Sequence, residues 1–228
     1  MQSEAVKILW NRAIFQRMHV ETFAVGPLGC NCSIVADLEA KEAIVVDPGG
    51  DEPLIRAALL RLGVTPKAIV HTHTHIDHVG ATAPLQRAYN VSAKIHELDR
   101  PLYDAAPIQA QFLRIPAPEV AQMDGDLVDA GSLHFGRYEM GVLHTPGHTP
   151  GSCCFQVKTE DQEHLFTGDT LFKRGIGRTD LWGGDFAQIM KSLREKVLTL
   201  PGDVLVVAGH GAGTTIGDEV RANPFLRR

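Results

Sequence analysis

His71-Thr-His-Thr-His-Ile-Asp-His-Val-Gly80 is the stretch on which the reading of this chain turns. It follows the apolar run Ala68-Ile69-Val70 and brings His73, His75, Asp77 and His78 together within six residues. Core packing does not select four metal-capable side chains at the end of a strand. In extended backbone, residues two apart project the same way, so His73 and His75 can reach one cation. Asp77 and His78, on the turn that follows, can reach a second. Neutral imidazole and carboxylate suit zinc, iron or manganese.

Three further candidates lie downstream. His148 sits in Thr145-Pro-Gly-His-Thr-Pro-Gly-Ser152, Asp169 in Phe166-Thr-Gly-Asp-Thr170, and His210 in Val207-Ala-Gly-His-Gly211. Each lies in or beside a glycine-containing turn, and the last two follow strand-like runs. Glycine lets a backbone turn sharply and approach a ligand closely, and sites in layered α/β proteins collect on loops at strand ends. With the first cluster these residues make seven ligands, enough for two metal ions.

The pattern around the candidates alternates strands and helices. Met18–Val25, Cys32–Asp37 and Ala43–Asp47 read as strands. Asp51 is placed to cap a helix whose apolar face is Leu54, Ile55, Ala58, Leu59 and Leu62, with Pro53 in its first turn and Gly63 at its end. Ala68–Val70 returns as a strand, Ala81–Tyr89 as a helix and Ala93–His96 as a strand. Residues 104–118, with Pro107, Pro116 and Pro118, read as an irregular loop that could face a substrate. Strands recur at Ser132–Phe135, Glu139–Leu143, Cys153–Val157 and Leu165–Phe166. Asp185 is expected to cap a helix through Ile189, Met190, Leu193 and Val197, followed by a strand at Val204–Val207 and a helix at Ile216–Ala222. This order implies two sheets face to face with helices outside. Residues 1–17 read as an extension with a weak helical stripe (Ile8, Leu9, Ile14, Phe15), and 18–228 as one domain; Met18 could be an internal start.

Composition narrows the function classes. The chain has 228 residues, 44% hydrophobic, with a net charge of −5, so it can bury a sizeable core but offers no basic footprint for nucleic acid. No apolar run approaches the roughly 18–20 residues that span a bilayer, and the N-terminus does not read as a secretory signal. Cys30, Cys32, Cys153 and Cys154 are expected to be buried and reduced. A cytoplasmic protein, monomeric or homodimeric, is expected.

The motifs THTHIDH, PGHTPGS, TGDT and GHG, in this order, resemble those of the metallo-β-lactamase superfamily from about His19 to Phe225. Within it, Gly175-Ile-Gly-Arg-Thr-Asp180 and the ending Thr214–Leu226 are similar to short, single-domain members of the hydroxyacylglutathione hydrolase (glyoxalase II) branch. The resemblance implies a four-layer αβ/βα sandwich with metals at one edge. It assigns a first divalent ion to His73, His75 and His148 and a second to Asp77, His78 and His210, with Asp169 bridging. Zinc is the first expectation, iron or manganese the alternatives. True metallo-β-lactamases carry Cys or Ser in the region of Asp169, which argues against β-lactam hydrolysis.

The implied activity is hydrolysis of thioesters such as S-lactoylglutathione by a metal-bridging hydroxide, available at neutral pH because metal-bound water falls from a pKa of about 15.7 to about 7. Catalysis would rest on Asp77 and Asp169 as ligands or orienters rather than free bases. A thiolate leaves unprotonated, since thiol pKa values are near 8.5, whereas an amide nitrogen needs an acid that the motifs do not offer. Lys173, Arg174 and Arg178 are candidate contacts for an anionic small-molecule substrate. Long members of the branch carry a glutathione-gripping helical domain after the last histidine; here only Gly211–Arg228 follow. The rival reading is a persulfide dioxygenase, which Lys173-Arg-Gly-Ile-Gly-Arg-Thr-Asp180 also resembles, with one non-heme iron on His73, His148 and Asp169.

Overall fold

In a computed structural model of the chain, residues 18–123, 126–159 and 162–227 are described. The expected helical stripe of residues 1–17 lies outside them. β1 (Met18–Val25), β2 (Cys30–Asp37) and β3 (Glu42–Val46) form an antiparallel meander. Helix α1 (Glu52–Leu62) crosses over, so that β4 (Thr65–Val70) returns parallel to β3. The short α2 (Ile76–Val79) and α3 (Thr82–Tyr89) lead to β5 (Ser92–His96), parallel to β4. A 3-10 turn (Glu97–Asp99), α4 (Arg100–Asp104) and α5 (Ala106–Leu113) precede β6 (Asp126–Leu127), which completes a six-stranded sheet in chain order.

The second half repeats this plan with a different order. β7 (Ser132–Phe135), β8 (Tyr138–His144), β9 (Cys153–Lys158) and β10 (Glu163–Gly168) are antiparallel neighbours. A small ribbon, β11 (Leu171–Phe172) with β12 (Gly175–Ile176), follows, and then helix α6 (Phe186–Ser192), prolonged by a π turn at Leu193–Val197. β13 (Leu205–Ala208) inserts parallel to β10, β14 (Thr214–Thr215) pairs outside it, and α7 (Ile216–Ala222) closes the fold. The sheet order is β14-β13-β10-β9-β8-β7.

Among the described residues, the alternation of strand residues builds three cores. Along β3, Ile44 and Val46 point between the sheets, where they meet Phe135, Met140, Val142, Phe155 and Phe166, while Ala43 and Val45 point outward to Ile55 and Leu59 of α1. In the second sheet Leu165 points outward to Ile189, Leu193 and Val197, and Phe166 inward. Helix, sheet, sheet and helix therefore form the expected four layers. All four cysteines are buried and unpaired, and burial pushes the Cys154 thiol up to about 11.

Two expectations need correction. Residues 104–118 are not an irregular loop, because 106–113 form α5. Pro101 and Pro107 sit in the first turns of α4 and α5, where a missing N–H and a fixed φ favour a helix start. Asp51 occupies the cap position of α1, but its side chain makes no capping bond. Its Oδ2 instead accepts from the Gly26 amide at 2.8 Å and ties the β1–β2 turn to the helix start.

Candidate metal centre

The seven predicted residues converge at one edge of the sandwich. His73 and His75 lie on the loop leaving β4, Asp77 and His78 in α2, His148 on the loop after β8, Asp169 just beyond β10 and His210 just beyond β13. One ligand atom from each of His73, His75 and His148 falls in a cluster no wider than 4.8 Å, and so does one from each of Asp77, His78 and His210. Asp169 stands between the triads. Its Oδ2 lies 3.6 Å from His148 Nε2, while its Oδ1 lies 3.6 Å from His78 Nε2 and 3.8 Å from His210 Nε2.

Hydrogen bonds behind the imidazoles fix which nitrogen faces the centre. His148 Nδ1 lies 2.8 Å from the Arg178 carbonyl. A carbonyl only accepts, so Nδ1 carries the proton and Nε2 presents its lone pair. His78 Nδ1 donates to Asp47 Oδ2 at 3.1 Å. The Thr72 hydroxyl donates to the same carboxylate oxygen at 2.7 Å and accepts from His73 Nδ1 at 3.1 Å. His73 and His78 therefore both turn Nε2 inward, oriented by the partners that set ligand geometry in metal sites.

The donor set fits a pair of cations. His73 Nε2, His78 Nε2 and Asp169 Oδ1 are buried without a hydrogen-bond partner. A buried polar group left without a partner costs about 1–3 kcal/mol. His75 Nδ1 and His148 Nε2 approach to 2.9 Å, two ring nitrogens converging on one point. Burial pushes His73 well down, helped by the surrounding imidazoles, and brings His75 to about 3. Both are thus neutral, the form a metal takes. Burial opposes a charge on Asp77, but the hydrogen bond to His210 at 3.1 Å and the His78 and His210 charges outweigh it and hold the carboxyl well below the usual range. Burial also opposes a charge on His78, and the contacts of its Nδ1 with Cys30 and Asp47 more than offset it. His78 would give up its Nε2 proton to hold a cation there.

Close backbone approach is required at two glycines. A Cβ on Gly209 would stand 2.2 Å from Asp169 Oδ1, and one on Gly177 would stand 1.8 Å from the Asp169 carbonyl.

Several supporting residues escaped the sequence reading. Asp47 follows β3 at a φ of 49° and binds both the Thr72 amide (2.8 Å) and the Thr72 hydroxyl besides His78. The Asn31 amide donates to the Ala208 and Gly211 carbonyls, each at 2.9 Å, and so flanks His210. Gln109, on α5, accepts from the Ile76 amide at 3.0 Å and donates to the Thr74 carbonyl at 3.3 Å, bracketing His75. A polar residue beside a strand end was the only signal available for Asp47, and Gln109 had none. His71, first of the motif, faces away from the centre. Burial takes it down to about 4, and its ring bonds the His78 carbonyl and the Thr82 hydroxyl.

The basic residues are placed less uniformly than expected. Arg174 is committed to Glu219, which is fully buried, through Nη1 at 2.9 Å and its backbone amide at 2.7 Å. Its guanidinium is bonded to α7 while the side chain stays partly exposed. Arg178 makes a two-pronged bond to Asp180 at 2.8 and 2.9 Å on the surface, and Lys173 is exposed.

With this geometry in place, comparison with known proteins agrees on the family. The family model for the metallo-beta-lactamase superfamily matches residues 25–210. Hydroxyacylglutathione hydrolase GloC of Haemophilus influenzae is 38% identical over 92% of this chain and 98% of its own length. Human persulfide dioxygenase ETHE1, mitochondrial, is 32% identical over 88% of this chain and 73% of its own. The crystal structure of BLEG-1 B3 metallo-beta-lactamase superposes with a TM-score of 0.85 at 36% identity, covering 92% of this chain and all of that one. The chain belongs to the metallo-beta-lactamase superfamily.

Proposed function

We propose that this superfamily member is a metal-dependent hydrolase of acyl thioesters of glutathione or a similar small thiol. The observation that carries the reading is Asp169, with one carboxylate oxygen toward each of two adjoining ligand triads. Two divalent ions held there would supply a Lewis acid for a carbonyl oxygen and bring water within reach of ionisation near neutral pH. Zinc suits the donor set, with iron or manganese as alternatives.

The protein's own groups support the rest. His73, His78 and His148 are buried and oriented by Asp47, Thr72 and the Arg178 carbonyl, so the ligand frame is rigid. Asp77 is engaged by His210 and Asp169 faces imidazoles, which leaves neither carboxylate free to protonate an amide nitrogen. A thiolate needs no such proton. Lys173 and Arg178 are the residues we assign to an anionic substrate, with Arg178 exchanging its exposed partner Asp180 for the substrate carboxylate; Arg174, bonded to the buried Glu219, is not assigned. The net charge of −5 fits a small-molecule substrate rather than nucleic acid, and among the described residues no helix is long and apolar enough to cross a membrane.

The dioxygenase alternative would use His73, His148 and Asp169 alone. It leaves the Asp77, His78 and His210 triad without a task. The deciding experiment compares anaerobic cleavage of S-lactoylglutathione with oxygen uptake on glutathione persulfide and hydrolysis of a chromogenic β-lactam. Thioester cleavage without oxygen is expected to dominate. Rapid oxygen uptake or β-lactam turnover with negligible thioester cleavage overturns the assignment.

A further inference from the structure

Asp99 ends the 3-10 turn after β5 and is fully buried. Its Oδ2 accepts from the Thr74 amide at 3.0 Å and from the Thr149 hydroxyl at 2.9 Å. Its Oδ1 accepts from the Gly151 amide at 2.5 Å, and its backbone carbonyl accepts from the Thr74 hydroxyl at 3.1 Å. Thr74 lies between His73 and His75, and Thr149 directly follows His148. One carboxylate thus grips both loops that carry the first triad. The two loops leave different sheets, β4 in one and β8 in the other, so neither ladder sets their separation. Gly151 packs directly on this carboxylate: a Cβ there would stand 2.7 Å from Asp99 Cγ. The second triad depends on other partners, His78 on Asp47 and the His210 loop on Asn31.

We infer that Asp99 is a positioning residue for the first metal alone, holding His73, His75 and His148 at ligating separation before the ion arrives. The inference rests on the reading that this triad holds a metal. Partners of this kind set ligand orientation, and their loss weakens metal affinity by about ten- to hundredfold.

The test titrates the full-length, metal-stripped protein with Zn²⁺ by calorimetry and measures zinc per chain after desalting. In Asp99→Asn an amide NH₂ replaces one acceptor oxygen and opposes the donors around it. One ion is expected to bind about ten- to hundredfold more weakly while the other is unchanged. In a His210→Ala background, Asp99→Asn should remove most of the remaining zinc; in a His148→Ala background it should change little. Thr149→Val, which removes one donor and leaves Asp99 in place, should give a smaller effect on the same ion and serves if Asp99→Asn does not fold. Asp37→Asn is the structural control. Asp37 is also buried and accepts from the Glu39, Ala40 and Arg137 amides, at the end of β2 opposite Cys30. It should lower the unfolding temperature without changing zinc content. Wild-type affinity for both ions in Asp99→Asn, or an equal loss of both in Asp99→Asn and Asp37→Asn, overturns the inference. If His148→Ala retains both ions at wild-type affinity, the metal reading itself fails and takes the inference with it.

Discussion

At the residue scale the centre turns on Asp169, because its two oxygens have different neighbours. On the two-metal reading, removing that carboxylate would take a ligand from both ions at once. Asp169→Ala is expected to lose zinc and to lower kcat/KM by about a hundredfold or more, beyond what a supporting residue costs. Asp169→Cys, which offers a thiolate that zinc accepts, should retain part of the metal. Elemental analysis beside steady-state kinetics checks both, and full activity in Asp169→Ala would place the bridge elsewhere. A residue remote from the metals carries a pH prediction. His164, on β10, has its Nδ1 buried without a partner, and burial lowers its pKa below 6.5. The unfolded chain therefore binds a proton on this imidazole at a higher pH than the folded one does. Stability from the neutral ring is fully present above about pH 6.5 and falls as acidification passes through the folded-state value. His164→Leu should flatten this part of the wild-type curve, measured as the difference in unfolding temperature between pH 7.5 and pH 5.

At the element scale, helix α6 is tied to the site by its N-terminal end. Asp185 caps α6 by accepting from the Gln188 amide at 2.9 Å, and its own amide donates to the Gly147 carbonyl at 2.8 Å. The cap was legible in the sequence, since Asp before an apolar periodic run is a start signal; its attachment to the His148 loop was not. Asp185→Ala should cost about 1 kcal/mol, read by urea denaturation, with metal content retained because the amide bond survives. Arg174 shows the opposite case. In the sequence it is a basic residue five positions past a candidate ligand, and an anion-binding role follows naturally. In the structure it neutralises Glu219 beneath α7, which also takes bonds from Thr214 and Asn223. Arg174→Ala should lower stability by about 1–3 kcal/mol and leave KM for an anionic thioester within roughly twofold, a small fraction of 1.4 kcal/mol. A large KM rise with unchanged stability would restore the rim reading. Helix α5 was hidden because prolines signal both loops and helix starts, and only its packing beside α2 decides between them.

At the scale of the whole molecule, the metal edge is assembled from both sheets, and no segment could form it alone. A chain beginning at Met18 is expected to fold and keep two metals, since all seven candidate ligands lie between His73 and His210. Insoluble protein, or loss of zinc, would show that residues 1–17 are needed. The seven candidate ligands that converge at one edge, and most of the strands, were legible in the sequence itself. Metal chemistry admits few donor types, and apolar alternation with period two is a local property. Resemblance to a family, not spacing, supplied the grouping into triads. Only the tertiary structure decided that β13 lies against β10 and so brings His210 beside Asp169. It alone placed Asp47, Asn31, Asp99 and Gln109 behind the ligands, because these side chains bind backbone and hydroxyl groups from distant loops. It also paired Arg174 with the buried Glu219. The reason is that a donor's chemistry belongs to its residue type, whereas a buried polar partner is chosen by whatever distant group the packed fold brings within hydrogen-bond reach.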